Sequence, residues 1–385
     1  MRSKFLSFSP PAISNEEKDE VAATLSSDWI TTGPKTRDFE LQFGKFIGAK
    51  ASVALNSCTA ALHTALVILG IGPGDEVITT PMTFCSSVNV IEHVGAHPVL
   101  VDVEPDTLCI SPTEIEKHLT PRTKCILPVH YSGHPCDMDP IMDIAKERGL
   151  LVVEDAAHSL PARYKGRMIG TIGDLTAFSF YATKNLTTAE GGMLTGCPDL
   201  IDKARIISLH GMSKDAWKRY DKGGSWYYEV VLPGFKYNMT DIQASIGLQQ
   251  LKKLPQFQQR RREVVRRYNE AFSQYPYFEV PAERLEVEHA WHLYVLRLNL
   301  GTLRIDRAQF IEELKARNIG TSVHFIPVHL HPYYRDKYGF KPKDFPVAYS
   351  NYLRMISLPL HPRLTDADVS DVVEAVVDVA ETFRR

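Results

Sequence analysis

The sequence predicts an α/β fold, with a large lobe built on a mostly parallel sheet and a smaller α+β lobe after it. Three observations predict it. From about residue 50 to 205, short continuous apolar runs alternate with amphipathic stretches, as buried parallel strands alternate with crossover helices. Gly70, Gly95 and Gly149 close helical segments, where a left-handed residue ends the last turn. From about 241 onward, strands become fewer and amphipathic helices more frequent. A chain of 385 residues is long enough for two lobes, and we set them at 1–250 and 251–385.

Taken in order, "TAALHTALVILG" reads as a helix ending at Gly70, and "EVITT" as a short buried strand. "SSVNVIEHVG" is helical, "HPVLVDV" a strand, "SPTEIEKHL" a capped helix and "KCILPVH" a strand. "DPIMDIAKERG" is the next helix, and "LLVVED" the strand that ends on Asp155. Further on, "TDIQASIGLQQLKKL" starts at a threonine cap and is expected to stop at Pro255. The basic run "QQRRREVVRRYNEAF" then forms a second helix, whose arginines 260–267 are expected on a solvated face. "HAWHLYVLRLNL" alternates as a half-buried strand should. Two helical stretches, "RAQFIEELKARNI" and "DADVSDVVEAVVDVAETF", follow.

Composition narrows the function classes. The apolar share is 44% and the charged share 23%, the balance of a soluble globular chain. A formal charge of -2 gives no reason to expect nucleic acid or an anionic membrane as partner. No apolar run is long enough to span a bilayer, and the first twenty residues lack the apolar core of a signal peptide. The six cysteines form no C-x-x-C pair, so they read as reduced thiols of a cytoplasmic protein. "HYSGHPCDMD" brings together His130, His134, Cys136, Asp137 and Asp139, but the spacing fits no standard zinc pattern, and no metal is expected.

The chemistry concentrates in four places. Asp155 stands at the carboxyl end of a parallel strand, where ligands of open α/β sheets bind. A helix cap is the plainer alternative for it. Lys184 follows the apolar run "LTAFSF", in the polar, small-residue stretch "ATKNLTTAEGG". In "LNSCTAALHTAL" a polar turn, Asn56 to Thr59, runs into a helix and sets free N–H groups at its positive end. Phe84, in "TTPMTFCSS", supplies an aromatic face. Neither a Rossmann fingerprint nor a P-loop is present. A phosphate cradle, a strand-end aspartate, an aromatic ring and a lysine are together the parts that hold pyridoxal phosphate.

With those parts in view, the chain resembles the DegT/StrS family of nucleotide-sugar aminotransferases nearly end to end. The likeness is most specific in "VVEDAAHSLPARYKGRMIGTIGDLTAFSFYATKNLTTAEGGML", and extends through "WITTGPKTRDFE", "GDEVITTPMTFCSSVN" and "GFKYNMTDIQASIGLQQL" to "IGTSVHFIPVHLHPYY". The resemblance implies fold type I, the aspartate aminotransferase-like architecture, with pyridoxal 5'-phosphate as cofactor. It makes Lys184 the Schiff-base lysine and Asp155 the partner of the pyridine nitrogen. His158 takes the position beside the ring oxygen, and Phe84 the stacking position. Cys58, Thr59 and Ser179 match phosphate-binding positions. Many relatives carry glycine where Cys58 stands, a departure that a backbone N–H contact tolerates. Asn238 matches a residue that reaches the phosphate in the partner subunit, which implies a homodimer with two shared sites. Thr31, Thr32, His324 and His329 match segments near the sugar, and Trp29 with the "TTGP" turn falls at the site entrance.

The resemblance is closest to the branch that aminates C4 of a nucleotide-linked keto sugar, with L-glutamate as donor and 2-oxoglutarate as co-product. A C3-aminating enzyme is the runner-up. A dehydratase of the family normally carries histidine at the Schiff-base position, and Lys184 argues against it. A regulatory dimer without activity has no use for a complete cofactor constellation.

Overall fold

The computed structural model describes residues 2–213 and 227–385. Two helices open the chain, α1 (Asn15–Leu25) and α2 (Pro34–Ile47). The α/β segment then runs β1 (Ala51–Leu55), α3 (Cys58–Ile68), β2 (Glu76–Thr79), α4 (Ser86–His93), β3 (His97–Leu100), α5 (Pro112–Lys117), β4 (Thr123–Ile126), α6 (Met138–Arg148) and β5 (Leu151–Asp155). A two-strand excursion, β6 (Arg163–Tyr164) and β7 (Arg167–Met168), precedes β8 (Leu175–Ser179), β9 (Gly192–Gly196) and α7 (Pro198–Ile207). Beyond these come α8 (Asp241–Phe272), β10 (Phe278–Glu279), β11 (Val287–Glu288), β12 (Tyr294–Leu298), α9 (Arg307–Ala316), α10 (Pro332–Tyr338), α11 (Pro346–Tyr352), β13 (Met355–Leu358) and α12 (Asp366–Thr382).

Seven strands form the central sheet in the order β1-β9-β8-β5-β4-β2-β3. All neighbours pair in parallel except β9, which runs antiparallel to both β1 and β8. The inner parallel strands β2, β4, β5 and β8 are short and almost wholly buried, as the continuous apolar runs predict, whereas the edge strand β3 is exposed at His97. Gly149 closes α6 in the left-handed region at φ 64°. A smaller antiparallel sheet, β10-β12-β13, packs with α9, α12 and the second half of α8 around Tyr268, Phe272, Tyr294 and Phe310.

Two expectations fail on α8. It is one helix of 32 residues with Pro255 inside it. Proline removes one backbone hydrogen bond at this point, but both flanks are pinned. Leu248, Leu251 and Leu254 sit in the core of the large lobe, and Val264, Val265 and Tyr268 in that of the smaller one. Packing on both sides of the proline holds the two halves in line. The arginine run is also not uniformly solvated. Arg260 and Arg267 reach Asp366 on the surface, whereas Arg261 is buried and donates to the carbonyls of Trp291 (3.0 Å), His292 (3.3 Å) and Leu360 (2.8 Å).

Next to Asp155 lies a buried pair that fastens the middle of the sheet. The backbone N–H of Cys136 donates to His130 Nδ1 at 3.0 Å, which leaves the proton on Nε2 to donate to Glu154 Oε2 at 2.9 Å. Gly173 N and Thr176 Oγ1 donate to the other carboxylate oxygen, each at 2.8 Å. Burial raises the pKa of Glu154, but the hydrogen bond from His130, followed by the bonds from Gly173 and Thr176, outweighs it and holds the group below its ordinary 4.5. The remaining side chains of "HYSGHPCDMD" are engaged nearby: Asp137 by Tyr164 and Asp139 by Lys165.

Glu154→Ala leaves three donors without an acceptor, and the expected loss is about 3–5 kcal/mol in denaturant unfolding. Because the folded pKa is depressed, the stability from Glu154 is complete above pH 4.5 and drains away as pH falls through the folded value. The gap between wild type and variant should therefore narrow in acid.

Candidate active site

A cavity of about 400 Å³ opens at the carboxyl ends of β5 and β8. Asp155, at the end of β5, pairs with Ala177 of β8, so the ends of these neighbouring strands share one rim. Its carboxylate is held on both oxygens: Ser87 Oγ of α4 donates to Oδ2 at 2.7 Å, and Ala157 N to Oδ1 at 3.0 Å. The second contact is an Asx turn. No helix follows β5 directly, so the helix-cap alternative for Asp155 drops out.

Lys184 lies in the turn after β8, half-buried and lining the same cavity. Burial lowers its pKa, partly offset by the nearby Asp155, to about 8. The next residue fixes the turn. Asn185 Nδ2 donates to the carbonyls of Leu160 (2.9 Å) and Ala290 (2.8 Å), and its Oδ1 lies 3.2 Å from His292 Nδ1. From the N-terminal segment, Ser9 Oγ reaches Thr183 O at 3.4 Å.

On the opposite wall, α3 starts at Cys58, capped by Ser57, whose hydroxyl accepts from Ala60 N at 3.0 Å. The first-turn N–H groups of a helix have no helical acceptor, and Ser57, Cys58 and Thr59 all line the cavity. The Cys58 thiol turns to Ala177 O at 3.6 Å and is raised well above the usual range by burial and by Asp155. It acts as a small neutral side chain, leaving its backbone N–H for a ligand. Gly192 makes the close packing possible: a Cβ there would lie 2.5 Å from Ser57 C and 2.6 Å from Cys58 N. Ser179, paired with Gly192 across the sheet, adds a hydroxyl to the wall.

Three imidazoles complete the interior. His158 is held neutral by burial first and then by Lys184 and His324, and its Nδ1 is buried without a hydrogen-bond partner. His292 packs 4.4 Å from it. His324 stacks on Phe8 at 5.3 Å, meets Ser357 Oγ at 2.9 Å, and is lowered to about 4 by burial and by Lys184. Phe84 stands at the cavity, 59% exposed, with its ring 6.0 Å from that of Phe325.

Of the residues expected in the site, Lys184, Asp155, His158, Phe84, Cys58, Thr59, Ser179 and His324 line this one cavity. Thr31, Thr32, Asn238 and His329 do not. His329 is fully buried against Phe345, with Nε2 3.3 Å from Pro342 O. Asn238 pairs with Leu55 beside the edge strand β1, and its amide donates to Thr32 Oγ1 at 2.6 Å. Trp29 donates through Nε1 to Thr32 O at 2.8 Å. Sequence reasoning missed His292, Phe325 and Tyr181, which also line the cavity. The strand-like alternation of "HAWHLYVLRLNL" carries no mark that its second histidine meets the lysine turn.

Residues 11–377 match the DegT/DnrJ/EryC1/StrS aminotransferase family. The chain belongs to this family. It is 55% identical to the spore coat polysaccharide biosynthesis protein SpsC of Bacillus subtilis, over 99% of this chain and 98% of SpsC. Among solved structures of the family, it is similar to Spr1654 from Streptococcus pneumoniae in its PMP form, with a TM-score of 0.93 and 40% identity over 98% of this chain and 99% of that one. Spr1654 has also been solved in a PLP form. Helicobacter pylori PseC, an aminotransferase involved in the biosynthesis of pseudoaminic acid, superposes with a TM-score of 0.91 at 28% identity, over 99% of this chain and all of PseC. The mostly parallel sheet with flanking helices is thus the aminotransferase architecture that the resemblance implied.

The lysine environment has a direct consequence for reactivity. In the cofactor-free protein, acylation of Lys184 with acetic anhydride, followed by peptide mass spectrometry, should rise with pH and level off above about 8. Only the neutral amine reacts, and a depressed pKa completes its formation earlier. A rate still climbing at the ordinary 10.5 would contradict the desolvated environment.

Proposed function

We propose that this protein is a sugar aminotransferase that uses pyridoxal 5'-phosphate to move an amino group from L-glutamate to a nucleotide-linked 4-keto sugar, releasing 2-oxoglutarate. The observation that carries this reading is the half-buried Lys184, with its pKa lowered to about 8, lining one cavity with Asp155 and the start of α3. Its relatives point the same way: SpsC is a spore coat polysaccharide biosynthesis protein and PseC acts in pseudoaminic acid biosynthesis. The pathway is then one that builds an amino-sugar-containing polysaccharide or glycoconjugate, and we assign the enzyme to the cytoplasm as a homodimer.

The residues present fit the cofactor. The free N–H groups of Cys58 and Thr59, with the hydroxyl of Ser179, suit its phosphate. Asp155, fixed by Ser87 and Ala157, suits a protonated pyridine nitrogen. The unpartnered Nδ1 of His158 suits the ring's oxygen side, and Phe84 suits its face. When bound, pyridoxal phosphate supplies the electron sink and carries the amino group between the two half-reactions.

Each side chain has a task. Lys184 Nζ would anchor the cofactor; once displaced by the donor, it is placed to accept the proton from the donor's α-carbon as general base. Asn185 holds the turn, so Nζ returns to one position for each proton transfer. Asp155 keeps a fixed negative charge where positive charge must persist, without reorganising as the reaction proceeds. His158, His292 and His324 stay neutral at pH 7. They offer hydrogen bonds without adding cations that would compete with Lys184, which suits a hydroxyl-rich sugar ring.

The test is a half-reaction followed by absorbance. L-Glutamate should bleach the long-wavelength band of the cofactor-loaded enzyme, and a nucleotide-linked 4-keto sugar should restore it. A 3-keto sugar restoring it instead would overturn the choice of C4. Asp155→Asn should slow the glutamate step on the order of 10³-fold, because an amide cannot supply the missing charge. An unchanged rate in Asp155→Asn would remove the aspartate from this role.

A further inference from the structure

A second, much smaller cavity, of about 10 Å³, adjoins the lysine turn. The N-terminal segment from Ser9 to Ala12, the turn itself, and Gln250, Phe257 and Arg261 of α8 wall it. That is room for one particle of about the size of a water molecule. Among the described residues no aspartate or glutamate lines it, whereas Lys184 and Arg261 both do.

Arg261 is 2% exposed. Burial alone lowers its pKa, to about 9, so the guanidinium keeps its charge at neutral pH with no carboxylate beside it. Its Nη1 is spent on the carbonyls of Trp291, His292 and Leu360. The other edge of the guanidinium plane, formed by Nε and Nη2, bonds no described residue, and Nε is completely buried. Two parallel N–H groups on such an edge grip an acceptor bidentately.

The remaining polar side chains of the wall are already committed. Gln250 donates to Ala12 O and Glu17 Oε1, both at 2.8 Å, and Asn185 to Leu160 O and Ala290 O. Thr187 donates to Phe180 O at 3.1 Å, and Ser9 to Thr183 O at 3.4 Å. Lys184 Nζ donates to no described residue. Lysine and arginine have hydrogens to give and no lone pair to offer. The cavity therefore presents two cations, and no protein acceptor for the free edge of either.

We propose that this cavity binds one small monovalent anion of the halide class, gripped by the Nε–Nη2 edge of Arg261 and serving as counter-charge to Lys184. A water molecule would accept the same two hydrogen bonds, but it would leave two cations without a partner, and buried charges persist where they are paired. A phosphate or a carboxylate-bearing substrate is too large for this volume. The ion has a consequence for the lysine. A negative charge beside it favours the protonated amine, so occupancy raises the pH at which Lys184 turns neutral and reactive. The other titratable groups facing that amine are Cys58 of α3, Asp155 of β5, and His158, His292 and His324. All of them stay in place when one salt replaces another, so a salt-specific shift reports the ion.

The experiment uses the full-length protein. Crystals grown in sodium bromide, with data collected at the bromine absorption edge, should show an anomalous peak in the cavity, within hydrogen-bond distance of Arg261 Nε and Nη2. An ordered water there without anomalous signal, or peaks only elsewhere, overturns the proposal. In solution, the midpoint of Lys184 acylation in the cofactor-free protein should lie near 8 in sodium gluconate, whose anion is too large to enter. In sodium chloride of equal ionic strength it should move to about 9. The same midpoint in both salts overturns the proposal as well. Arg261→Lys keeps a cation but removes the two-hydrogen edge, and should abolish both the bromide peak and the chloride-specific shift. A shift that survives in Arg261→Lys places the ion elsewhere and sinks the assignment. Where that variant does not fold, the wild-type crystal and the two-salt comparison still decide, since neither needs a substitution.

Discussion

Lys184 carries its amine into a wall of protein where no carboxylate comes within ion-pairing distance of it among the described residues, and burial holds its pKa near 8. The arrangement around it follows from that constraint. A nearby Asp155 moderates the shift without forming a bridge, its oxygens turned to Ser87 and Ala157. Neighbouring imidazoles are kept neutral by their own burial. An ion pair with Asp155 would restore the lysine's ordinary basicity and remove it as a base. The hydrogen bonds that pin the aspartate elsewhere keep the two charges in one cavity but apart.

The sheet order explains how these groups meet. Adjacent parallel strands deliver Asp155 and Ser179 to one rim, and the antiparallel β9 returns Gly192 beneath the start of α3. A side chain at 192 would push that helix start outward. From the other side, α8 brings Arg261 to the carbonyls of Trp291 and His292, and His292 meets Asn185 beside the lysine. The lysine turn is thus braced by the long helix that passes through both cores.

Much of this was written locally in the chain. A continuous apolar run ending in Glu154-Asp155, a polar turn entering α3, glycines after helices, and Thr240 before α8 are all short-range patterns, and each appears where its pattern put it. What was not legible depends on partners far apart in sequence. Pro255 reads as a stop because the packing that overrides it comes from α1, α2 and the smaller lobe. Arg261 reads as solvated because its carbonyl acceptors lie about thirty and one hundred residues away. His292 hides in an alternating strand pattern, and the bond from Asn238 to Thr32 spans 206 positions. Local patterning specifies burial and capping; it does not specify which distant group fills a hydrogen bond.

The claim on which the account turns is that Lys184 alone holds the cofactor covalently. Borohydride reduction of the pyridoxal-phosphate-loaded protein, followed by proteolysis and mass spectrometry, tests it directly. The account predicts one pyridoxyl group per chain, on the peptide containing Lys184. A label on another lysine, or labelling spread over surface lysines with Lys184 unmodified, would contradict it.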